Sequence, residues 1–388
     1  MHYALTKLMA YGPIKTPEIF IFSESVQIDI KALRLIIKVL KSSLIIHINA
    51  KIMKKTLQSI FLFVGIDVSK LTLDVTEMNT RSKTKKYTQV ENSTTGLAQL
   101  EIWFKEAHDF QYANTIFCFE HTGMYTRVLL DYLMSKGANV WMESSLHIKK
   151  SLGLNRGKND KIDSYRIAEY AYRFSDKACF VENNSPEVVL LKDLLSARTR
   201  LKKSLQQILV TIKELTKVDE QQGKEIEILN LHAIKGLKAS IQQIEEKIHQ
   251  VIESNNQIQE VYELITSIPG VGFILAAKLL VYTKVFTSFS NVRQLACYCG
   301  VAPFEYRSGT SVKGKTGVSK FANMDLKATL HLASISAIQH NVELKKYYKR
   351  KVEEGKSKMV VINAVRNKLL ARVVAVVNRK TPYVSLIN

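Results

Sequence analysis

The segment from residue 62 to residue 90 constrains the fold more than any other part of the chain. Apolar and polar residues alternate with a period of two through LFVGIDVS, LTLDVTEM and KKYTQVEN, and turn-forming residues separate the three runs. This pattern predicts three consecutive strands in a meander. One residue conflicts with a buried strand, because the Asp67 carboxylate is costly to remove from water unless a cation neutralises it. Asp67 is therefore the first candidate for a functional residue.

The residues that follow alternate between helical and strand patterns. A helix is expected with Ser93 or Thr94 as its N-cap, a nearly continuous apolar strand ends at Glu120, and an amphipathic helix ends at Gly137. A fifth strand, ANVWMES, and a helix in KIDSYRIAEYAYRF complete the order βββαβαβα. This order predicts a mixed sheet flanked by helices, which is the arrangement of RNase H-like α/β folds.

Residues 186–262 have a different character, with almost no Gly or Pro and long apolar periodicities. Apolar residues step by four and three from Leu201 to Leu215 and again from Leu237 to Val251, with a break near Gly223 to Gly236. This pattern fits an antiparallel helical pair within one chain or an intermolecular coiled coil.

The PGVG turn in ITSIPGVGFILAAKLL separates two apolar helical segments, which is the signature of a helix-hairpin-helix. Its glycines, Gly270 and Gly272, expose backbone amides that can meet a phosphate where the second helix begins. A loop rich in Gly, Ser and Lys follows, and it suits phosphate contacts, although a flexible surface loop has the same composition. Its polar residues are Ser308, Thr310, Ser311, Lys313, Lys315, Thr316, Ser319 and Lys320.

These patterns divide the chain into four segments. The first is an N-terminal extension that is disordered or precedes the true start, and the others are an RNase H-fold domain, a helical coiled-coil spacer and a mainly α C-terminal domain with the helix-hairpin-helix. Their predicted bounds are 1–60, 61–185, 186–262 and 263–388.

The charge of the chain points to a polyanionic partner. The formal net charge is +21, from 56 Lys and Arg against 35 Asp and Glu, and residues 301–388 alone carry a net +12. Phosphate neutralisation dominates non-specific nucleic-acid affinity, so nucleic acid is the expected partner, with a basic solvated surface as the alternative.

The cysteines and the N-terminal residues indicate the compartment. The cysteines lack CxxC spacing and lie in apolar or aromatic surroundings, which predicts reduced core thiols rather than a zinc site. They are Cys118, Cys179, Cys297 and Cys299. The apolar patches near the N-terminus are short and interrupted by Lys and Arg, so we expect neither a signal peptide nor a membrane span, and a cytoplasmic protein.

Three further acids join Asp67. Glu120 ends a strand that a sheet of this topology places beside the first, and Asp160 and Asp163 share one face if the helix has begun at Asp160. Like charges this close do not all ionise without a cation, and carboxylate oxygens are the ligands that Mg²⁺ or Mn²⁺ prefers. The four acids therefore predict a site for two such ions, suited to phosphodiester chemistry.

Each acid taken alone has an ordinary structural interpretation. Asp160 can be a helix N-cap, Asp163 can favour the first-turn dipole, and Glu120 can end a strand at the surface. Asp74 also lies in an apolar run, but we exclude it because it is on the second strand.

Several motifs, in the same order along roughly residues 62 to 340, resemble the DEDD transposases of the IS110 family and the related Piv-type DNA invertases. The motifs are VGIDVSK, FEHTGMY, KNDKIDS, IPGVG, LACYCGVAPFEYRSGTS and GVSKFANMDLKATL.

The resemblance implies a RuvC-like catalytic domain on Asp67, Glu120, Asp160 and Asp163, and a C-terminal transposase domain with a catalytic serine. That serine maps to Ser308, and Ser311 is the competing position. The resemblance further implies a composite centre of serine and metal site, a homodimer or tetramer, and a structured non-coding bridge RNA as guide. A bacterial, nucleoid-associated enzyme acting on element ends and target DNA is the resulting expectation. Candidate phosphate-binding residues are Arg307, Ser311, Lys313, Lys315, Lys320, Gly270 and Gly272.

Two other functions are compatible with the same residues. A site-specific invertase or a RuvC-like junction resolvase can use the four acids, and a resolvase needs only activated water and no serine. A non-catalytic helix-hairpin-helix DNA-binding protein would need neither the acids nor a divalent ion.

Overall fold

The computed structural model describes most of the chain from residue 60 onward. The described ranges are 60–106, 110–121, 123–153, 159–182, 185–289, 291–305, 307–308, 312–314, 317–319 and 321–385. The extension predicted for residues 1–60 lies outside these ranges except for Ile60. The chain divides into two compact units, and the boundary between them follows residue 183.

The first unit is built on a five-stranded mixed sheet with the order β3-β2-β1-β4-β5. Strands β1 to β3 form an antiparallel meander, whereas β4 and β5 run parallel to β1. The strands are β1 (Leu62–Val68), β2 (Thr72–Asn79), β3 (Thr84–Glu91), β4 (Thr115–Glu120) and β5 (Asn139–Glu143). This mixed sheet with flanking helices confirms the predicted RNase H-like α/β arrangement.

Helices cover both faces of this sheet. They are α1 (Thr94–Lys105), α2 (Arg127–Ser135), α3 (Ser145–Ser151) and α4 (Asp160–Arg173), with 3₁₀ turns at Tyr112–Asn114, Gly123–Thr126 and Ser175–Lys177. Ser93 is the N-cap of α1, because its hydroxyl accepts a hydrogen bond from the Gly96 amide at 3.1 Å. The short helix α3 was not predicted from the sequence.

Gly65 sets how closely α4 approaches the sheet. A Cβ atom at this position would overlap the backbone of Ser164 and Ala168, so α4 crosses β1 in direct backbone contact. The hydroxyls of Ser164 and Thr76 are 2.8 Å apart in the same buried interface. The crossing brings the N-terminal turn of α4 to the end of β1 that carries Asp67.

The second unit begins with a hairpin of two long helices, α5 (Pro186–Val218) and α6 (Glu220–Glu253). A cluster of buried residues, Leu205, Ile212, Ile234 and Ile241, joins the two helices along their length. The pairing is therefore within the chain and antiparallel, the first of the two arrangements that the seam allowed.

The predicted break near Gly223 to Gly236 is wrong. Asp219 separates the helices, and its side chain caps α6 by accepting a hydrogen bond from the Gln222 amide at 3.0 Å. Helix α6 continues through both glycines. Gly223 lies against Thr216, where a Cβ atom would overlap that residue, so this glycine serves the tight reversal of the chain.

The remainder of the second unit is largely helical. Its helices are α7 (Asn256–Thr266), α8 (Phe273–Tyr282), α9 (Val292–Tyr298), α10 (Met324–His340), α11 (Val342–Glu353) and α12 (Lys358–Arg379). The segment interpreted as a loop contains two short antiparallel pairs, β6 (Pro303–Phe304) with β9 (Gly317–Val318) and β7 (Arg307–Ser308) with β8 (Val312–Lys313). Two-residue strands carry too few residues for a period-two pattern to reveal them.

The four cysteines are free, but they are not all core thiols. Cys118 and Cys299 are buried, Cys297 is half-buried and Cys179 is exposed. Burial raises the pKa of the Cys118 and Cys299 thiols, so both are protonated at neutral pH. The core prediction is wrong for Cys179, which follows the last helical turn of the first unit. Among the described residues, no helix combines the length and apolar character that crossing a membrane requires.

Candidate active site

Three aspartates from two elements meet at one edge of the sheet in the first unit. Asp67 comes from β1, and Asp160 and Asp163 come from the first turn of α4. One carboxylate oxygen from each residue lies within 4.8 Å of the other two, and these three residues form the only group of potential metal ligands of this size within the described residues. An all-oxygen donor set of this kind suits a hard divalent cation such as Mg²⁺ or Mn²⁺.

The electrostatics of Asp67 reflect this crowding. Burial, followed by the charges of Asp160, Asp163, Glu120 and Asp74, raises the pKa of Asp67 from 3.8 to about 6. Each of these causes disfavours the ionised form, because desolvation and neighbouring negative charge both oppose a carboxylate. A cation held by the cluster would remove this penalty, so the donor set fits the ion that the four acids predicted.

Local sequence explains why α4 presents both of its aspartates here. Asn159 is the N-cap, and its side chain accepts a hydrogen bond from the Lys161 amide at 3.1 Å, so Asp160 is the first helical residue and not the cap. Asp163 lies one turn further on, on the same face. Arg166 donates to the Asp163 carboxylate at 3.0 Å, which holds that side chain in its place within the cluster.

Glu120 lies at the neighbouring strand end but outside the group of three. Strands β1 and β4 are parallel, and Ile66 lies opposite Phe119. The next residue on each strand is an acid, Asp67 on β1 and Glu120 on β4, so the two acids lie at neighbouring strand ends. The Glu120 carboxylate accepts a hydrogen bond from the Ser145 hydroxyl at 2.5 Å. Its charge contributes to the raised pKa of Asp67, which shows that it acts on the cluster electrostatically.

Asp74, which we excluded, lies directly opposite Asp67 in the β1–β2 register. Its carboxylate is buried and accepts hydrogen bonds from the Tyr87 hydroxyl at 2.5 Å and from the Gln89 amide at 3.1 Å. These donors on β3 satisfy Asp74 without a cation. Asp74 is thus a neighbour of the cluster but not a member of it.

The predicted phosphate-binding residues belong to the second unit. Gly270 has φ +93° and packs against Ala337 of α10, where a Cβ atom would not fit, whereas Gly272 is the N-cap of α8 and has open space around it. Ser308 pairs with Val312, and Arg307 with Lys313, across the β7–β8 hairpin. Ser311, Lys315 and Lys320 lie outside the described residues.

Sequence reasoning missed the residues that support the acids. Tyr87, Gln89, Ser145 and Arg166 hold Asp74, Glu120 and Asp163 through side-chain hydrogen bonds. Only Arg166 had a local signal, because it follows Asp163 by three residues on one helix face. The other three depend on strand register and on a short helix that the sequence pattern does not reveal.

Comparison with known proteins gives two matched segments of the chain. A family model for the DEDD transposases of IS110 type, described as "Transposase", matches residues 64–217, and a model described as "Transposase IS116/IS110/IS902 family" matches residues 262–349. Together the two models match more than half of the chain. The first covers all four predicted acids, and the second covers the turn at Gly270 and the segment that contains Ser308.

Individual relatives agree with these models. The chain is 27% identical over 325 residues to the "Pilin gene-inverting protein" of Moraxella lacunata, covering 83% of this chain and 97% of that protein. It is 26% identical over 233 residues to the "Transposase for insertion sequence element IS1111A" of Coxiella burnetii, covering 53% and 62%. It is also 32% identical over 127 residues to an insertion element IS110 protein of Streptomyces coelicolor, covering 32% and 31%.

Two matched models in the expected order, relatives along most of the chain, and an acidic cluster on an RNase H-like sheet lead to one conclusion. The chain belongs to the IS110/IS116/IS902 family of transposases, enzymes that transfer phosphoryl groups on DNA.

Proposed function

We propose that this transposase cuts and rejoins DNA strands with a divalent-metal site on its aspartate cluster and a nucleophilic serine in its second unit. The observation that carries the proposal is the meeting of Asp67, Asp160 and Asp163 within 4.8 Å on an RNase H-like sheet. A single exposed acid is common on protein surfaces, but three converging carboxylates, with the pKa of Asp67 raised among them, are costly unless they have a use.

The residues would divide the work as follows. Asp67, Asp160 and Asp163 would hold Mg²⁺ or Mn²⁺, with Glu120 at the neighbouring strand end completing the site for a second ion. When bound, such ions supply Lewis-acid stabilisation of charge on the transferred phosphoryl group. Arg166 and Ser145 keep Asp163 and Glu120 in place through their hydrogen bonds.

Ser308 is the proposed nucleophile. Its hydroxyl oxygen would attack a backbone phosphate, so a serine–phosphate ester replaces one phosphodiester bond and a strand hydroxyl leaves with the proton. The ester retains the bond energy, and a strand hydroxyl can attack it to rejoin DNA without a high-energy cofactor. A free serine hydroxyl is a weak nucleophile, so this step needs the activation that a nearby metal site or base provides. Ser311 is the competing position.

The finer architecture belongs to the same proposal. The first unit would act as a RuvC-like domain, the α5–α6 hairpin as a coiled-coil spacer, and α7 and α8 as a helix-hairpin-helix. Gly272 at the start of α8 is exposed, and among the described residues a Cβ atom there would meet open space, which supports its amide as a phosphate contact. Arg307, Ser311, Lys313, Lys315 and Lys320 are the proposed phosphate contacts of the serine segment.

We also propose DNA ends and target as substrates, a homodimer or tetramer as the working form, and a structured non-coding RNA as guide. Support for the guide is the family resemblance together with the net charge of +21, which suits two polyanions as well as one. Chromosomal DNA as substrate would place the protein at the bacterial nucleoid.

A site-specific invertase is the second candidate function. The match to the pilin gene-inverting protein covers 97% of that protein, whose name describes the inversion of a gene, and this similarity favours an invertase. A junction resolvase and a non-catalytic DNA-binding protein are weaker alternatives. Transposase, invertase and resolvase share the acid cluster, so the products of the reaction distinguish them and the site does not.

The test is a strand-cleavage assay on supercoiled plasmids that carry the element ends, with the flanking transcript and Mg²⁺. The proposal predicts metal-dependent excision or insertion junctions, which disappear in Asp67→Ala and in Ser308→Ala. Inversion without excision would favour the invertase. Cleavage that persists in the Ser308→Ala, Ser311→Ala double variant would favour a resolvase, and DNA binding without cleavage in the presence of Mg²⁺ would favour the non-catalytic protein.

A further inference from the structure

Two lysines and two tyrosines form a ledge between β3 and α4 at the edge of the sheet in the first unit. The Lys85 ammonium group donates to the Tyr165 hydroxyl at 2.8 Å and lies 4.3 Å from the centre of its ring. The Lys161 ammonium group lies 4.8 Å from the centre of the Tyr87 ring. Each pair joins one residue of β3 to one residue of α4, so both pairs bridge the two elements. We call these four residues the lysine–tyrosine ledge.

The ledge borders the aspartate cluster. Lys161 follows Asp160 in the first turn of α4, and the Tyr87 hydroxyl donates to Asp74, which lies opposite Asp67. Burial, followed by its hydrogen bond to Asp74, raises the pKa of Tyr87 to about 12, so its hydroxyl remains a donor at neutral pH. Tyr87 therefore links the ledge to Asp74, the neighbour of the cluster in the β1–β2 register.

Neither lysine is neutralised within the described residues. Both are exposed, and neither forms an ion pair there, although carboxylates of the cluster are close by in the fold. Their partners are tyrosine rings, which orient a lysine without cancelling its charge. Because the ammonium groups already occupy positions over the rings, phosphate contact is the expected use and base stacking is not.

We propose that the lysine–tyrosine ledge binds the backbone phosphates of a polynucleotide strand beside the phosphate that reacts at the aspartate cluster. This inference rests on the proposed function, because it takes the cluster as the point of reaction. A strand that approaches three carboxylates meets repulsion, and two fixed cations at the border of the cluster offset it for the neighbouring phosphates. The ligand chemistry is a phosphodiester backbone, which a DNA end and a guide RNA both provide.

A matched control lies next to Lys85 on the same strand. Lys86 is exposed and carries the same charge, but strand side chains alternate between faces, and Lys86 pairs with Glu77 where Lys85 pairs with Met78. The charge of Lys86 acts on Glu77, which is on the face away from the cluster. Removing Lys86 changes the net charge by the same amount as removing Lys85 without touching the ledge.

The experiment measures the affinity of the full chain for a fluorescent duplex of the element end, with Ca²⁺ replacing Mg²⁺, across a series of salt concentrations. The Lys85→Ala, Lys161→Ala double variant is expected to bind at least about tenfold more weakly, and the slope of log Kd against log salt should fall by about two. Lys86→Ala should lower the affinity by less than about twofold. The Lys85→Arg, Lys161→Arg variant should restore binding, because it keeps both charges.

The same titration with the flanking transcript distinguishes the two ligands. A loss confined to the duplex assigns the ledge to DNA, and a loss confined to the transcript assigns it to RNA. If the double variant binds both within twofold of Lys86→Ala and with an unchanged salt slope, the ledge only fastens β3 to α4 and the inference is wrong. The double variant could bind more weakly as expected while the wild-type protein shows no metal-dependent cleavage. That result would overturn the proposed function and still support polynucleotide binding by the ledge.

Discussion

Asp67 is the residue of the aspartate cluster whose pKa is raised, and it is the one that the strand pattern singled out. It could be recognised from the sequence because a carboxylate in an apolar, period-two run requires a reason. Asp160 and Asp163 were recognised by their spacing, and the structure brings both to Asp67. The position of Asp74 could not be predicted in this way, because it depends on the β1–β2 register, which pairs it with Asp67. Strand register is set by long-range pairing, whereas helix spacing is local.

The raised pKa of Asp67 predicts a pH-dependent stability for the metal-free protein. The pKa is 3.8 in the unfolded chain and about 6 in the fold, so the folded state binds the proton more tightly. Stability is therefore lost as pH rises from about 4 to about 6 and stays lowered above that. Asp67→Asn should raise the free energy of unfolding in EDTA by about 1–2 kcal/mol near pH 7.5, after allowance for solvent screening, and by less near pH 5.

Urea denaturation at the two pH values measures this effect. Asp131→Asn on α2 is the control, because that side chain is 73% exposed and should give no pH-dependent gain. A gain in Asp67→Asn that is equal at both pH values would show that the ionisation of Asp67, disfavoured by burial and by the neighbouring carboxylates, is not its cause.

Without metal, Asp67→Asn should be more stable than the wild type, and a divalent cation should reverse this order of stability. Mn²⁺ at about 100 times its Kd should stabilise the wild type by about 2.7 kcal/mol. It should stabilise Asp67→Asn far less, because one oxygen anion of the site is gone. Binding should weaken as pH falls below about 6, where Asp67 takes up a proton. Equal stabilisation of both proteins by Mn²⁺, measured by thermal melting, would place the ion elsewhere.

At the scale of elements, the crossing of β1 and α4 builds the site. The sequence predicts a strand that contains Gly65 and a helix that begins near Asp160, but it does not identify α4 as the element that contacts Gly65. Glycine is the only residue type that permits this contact between β1 and α4, because any Cβ atom at position 65 would overlap the α4 backbone. A glycine within a strand is by itself a weak signal of close backbone approach. The helix–strand contact, more than either element alone, determines where the three carboxylates meet.

Gly65→Ala should displace α4 and open the cluster. We expect a loss of about 3 kcal/mol or more in the free energy of unfolding, because the overlap is with backbone atoms that cannot rotate away. Gly236→Ala is the matched control. It lies in α6 with open space around it and should stabilise the protein by about 0.5–1 kcal/mol. Chemical denaturation compares the two variants, and a Gly65→Ala protein as stable as the wild type would contradict the crossing.

The α5–α6 hairpin shows which structural features apolar periodicity can predict and which it cannot. The repeats identified both helices and their seam, but they left open whether the partner was in the same chain, and they misplaced the break. Apolar spacing determines which face is buried and does not identify the partner. The one-residue connection at Asp219 was hidden because a capping aspartate looks like any polar residue on a helix surface.

Ile241 tests the hairpin as a packed core within one chain. Its side chain is buried at the seam, so Ile241→Ala should lower the free energy of unfolding by about 2–4 kcal/mol. Ile228 lies on the same helix but is 71% exposed, and Ile228→Ala should change stability by less than about 0.5 kcal/mol. These changes should not depend on protein concentration. A midpoint for Ile241→Ala that rises with protein concentration would instead indicate that the seam packs between chains.

At the scale of the whole molecule, the two units carry different parts of the proposed chemistry. The first holds the acidic cluster on the predicted sheet, and the second holds the short hairpin with Ser308. The alternation of strand and helix patterns predicted the first unit well, because a mixed sheet with buried strands gives long, regular apolar runs. In the second unit the sequence predicted the two long helices and the two helices around the PGVG turn. It did not predict the two-residue strands, because they leave no periodic trace. The proposed reaction needs the side chains of both units.

The most direct test is mass spectrometry of the protein–DNA adduct formed on element-end DNA with Mg²⁺ and the flanking transcript. The proposal predicts a nucleotide-linked peptide with the modification on Ser308, and no adduct in Ser308→Ala or in Asp67→Asn. Asp131→Asn should form the adduct as the wild type does. An adduct that forms at full yield in Asp67→Asn, or DNA that is cleaved at the element ends with no serine-linked product, would contradict a shared centre of serine and aspartate cluster.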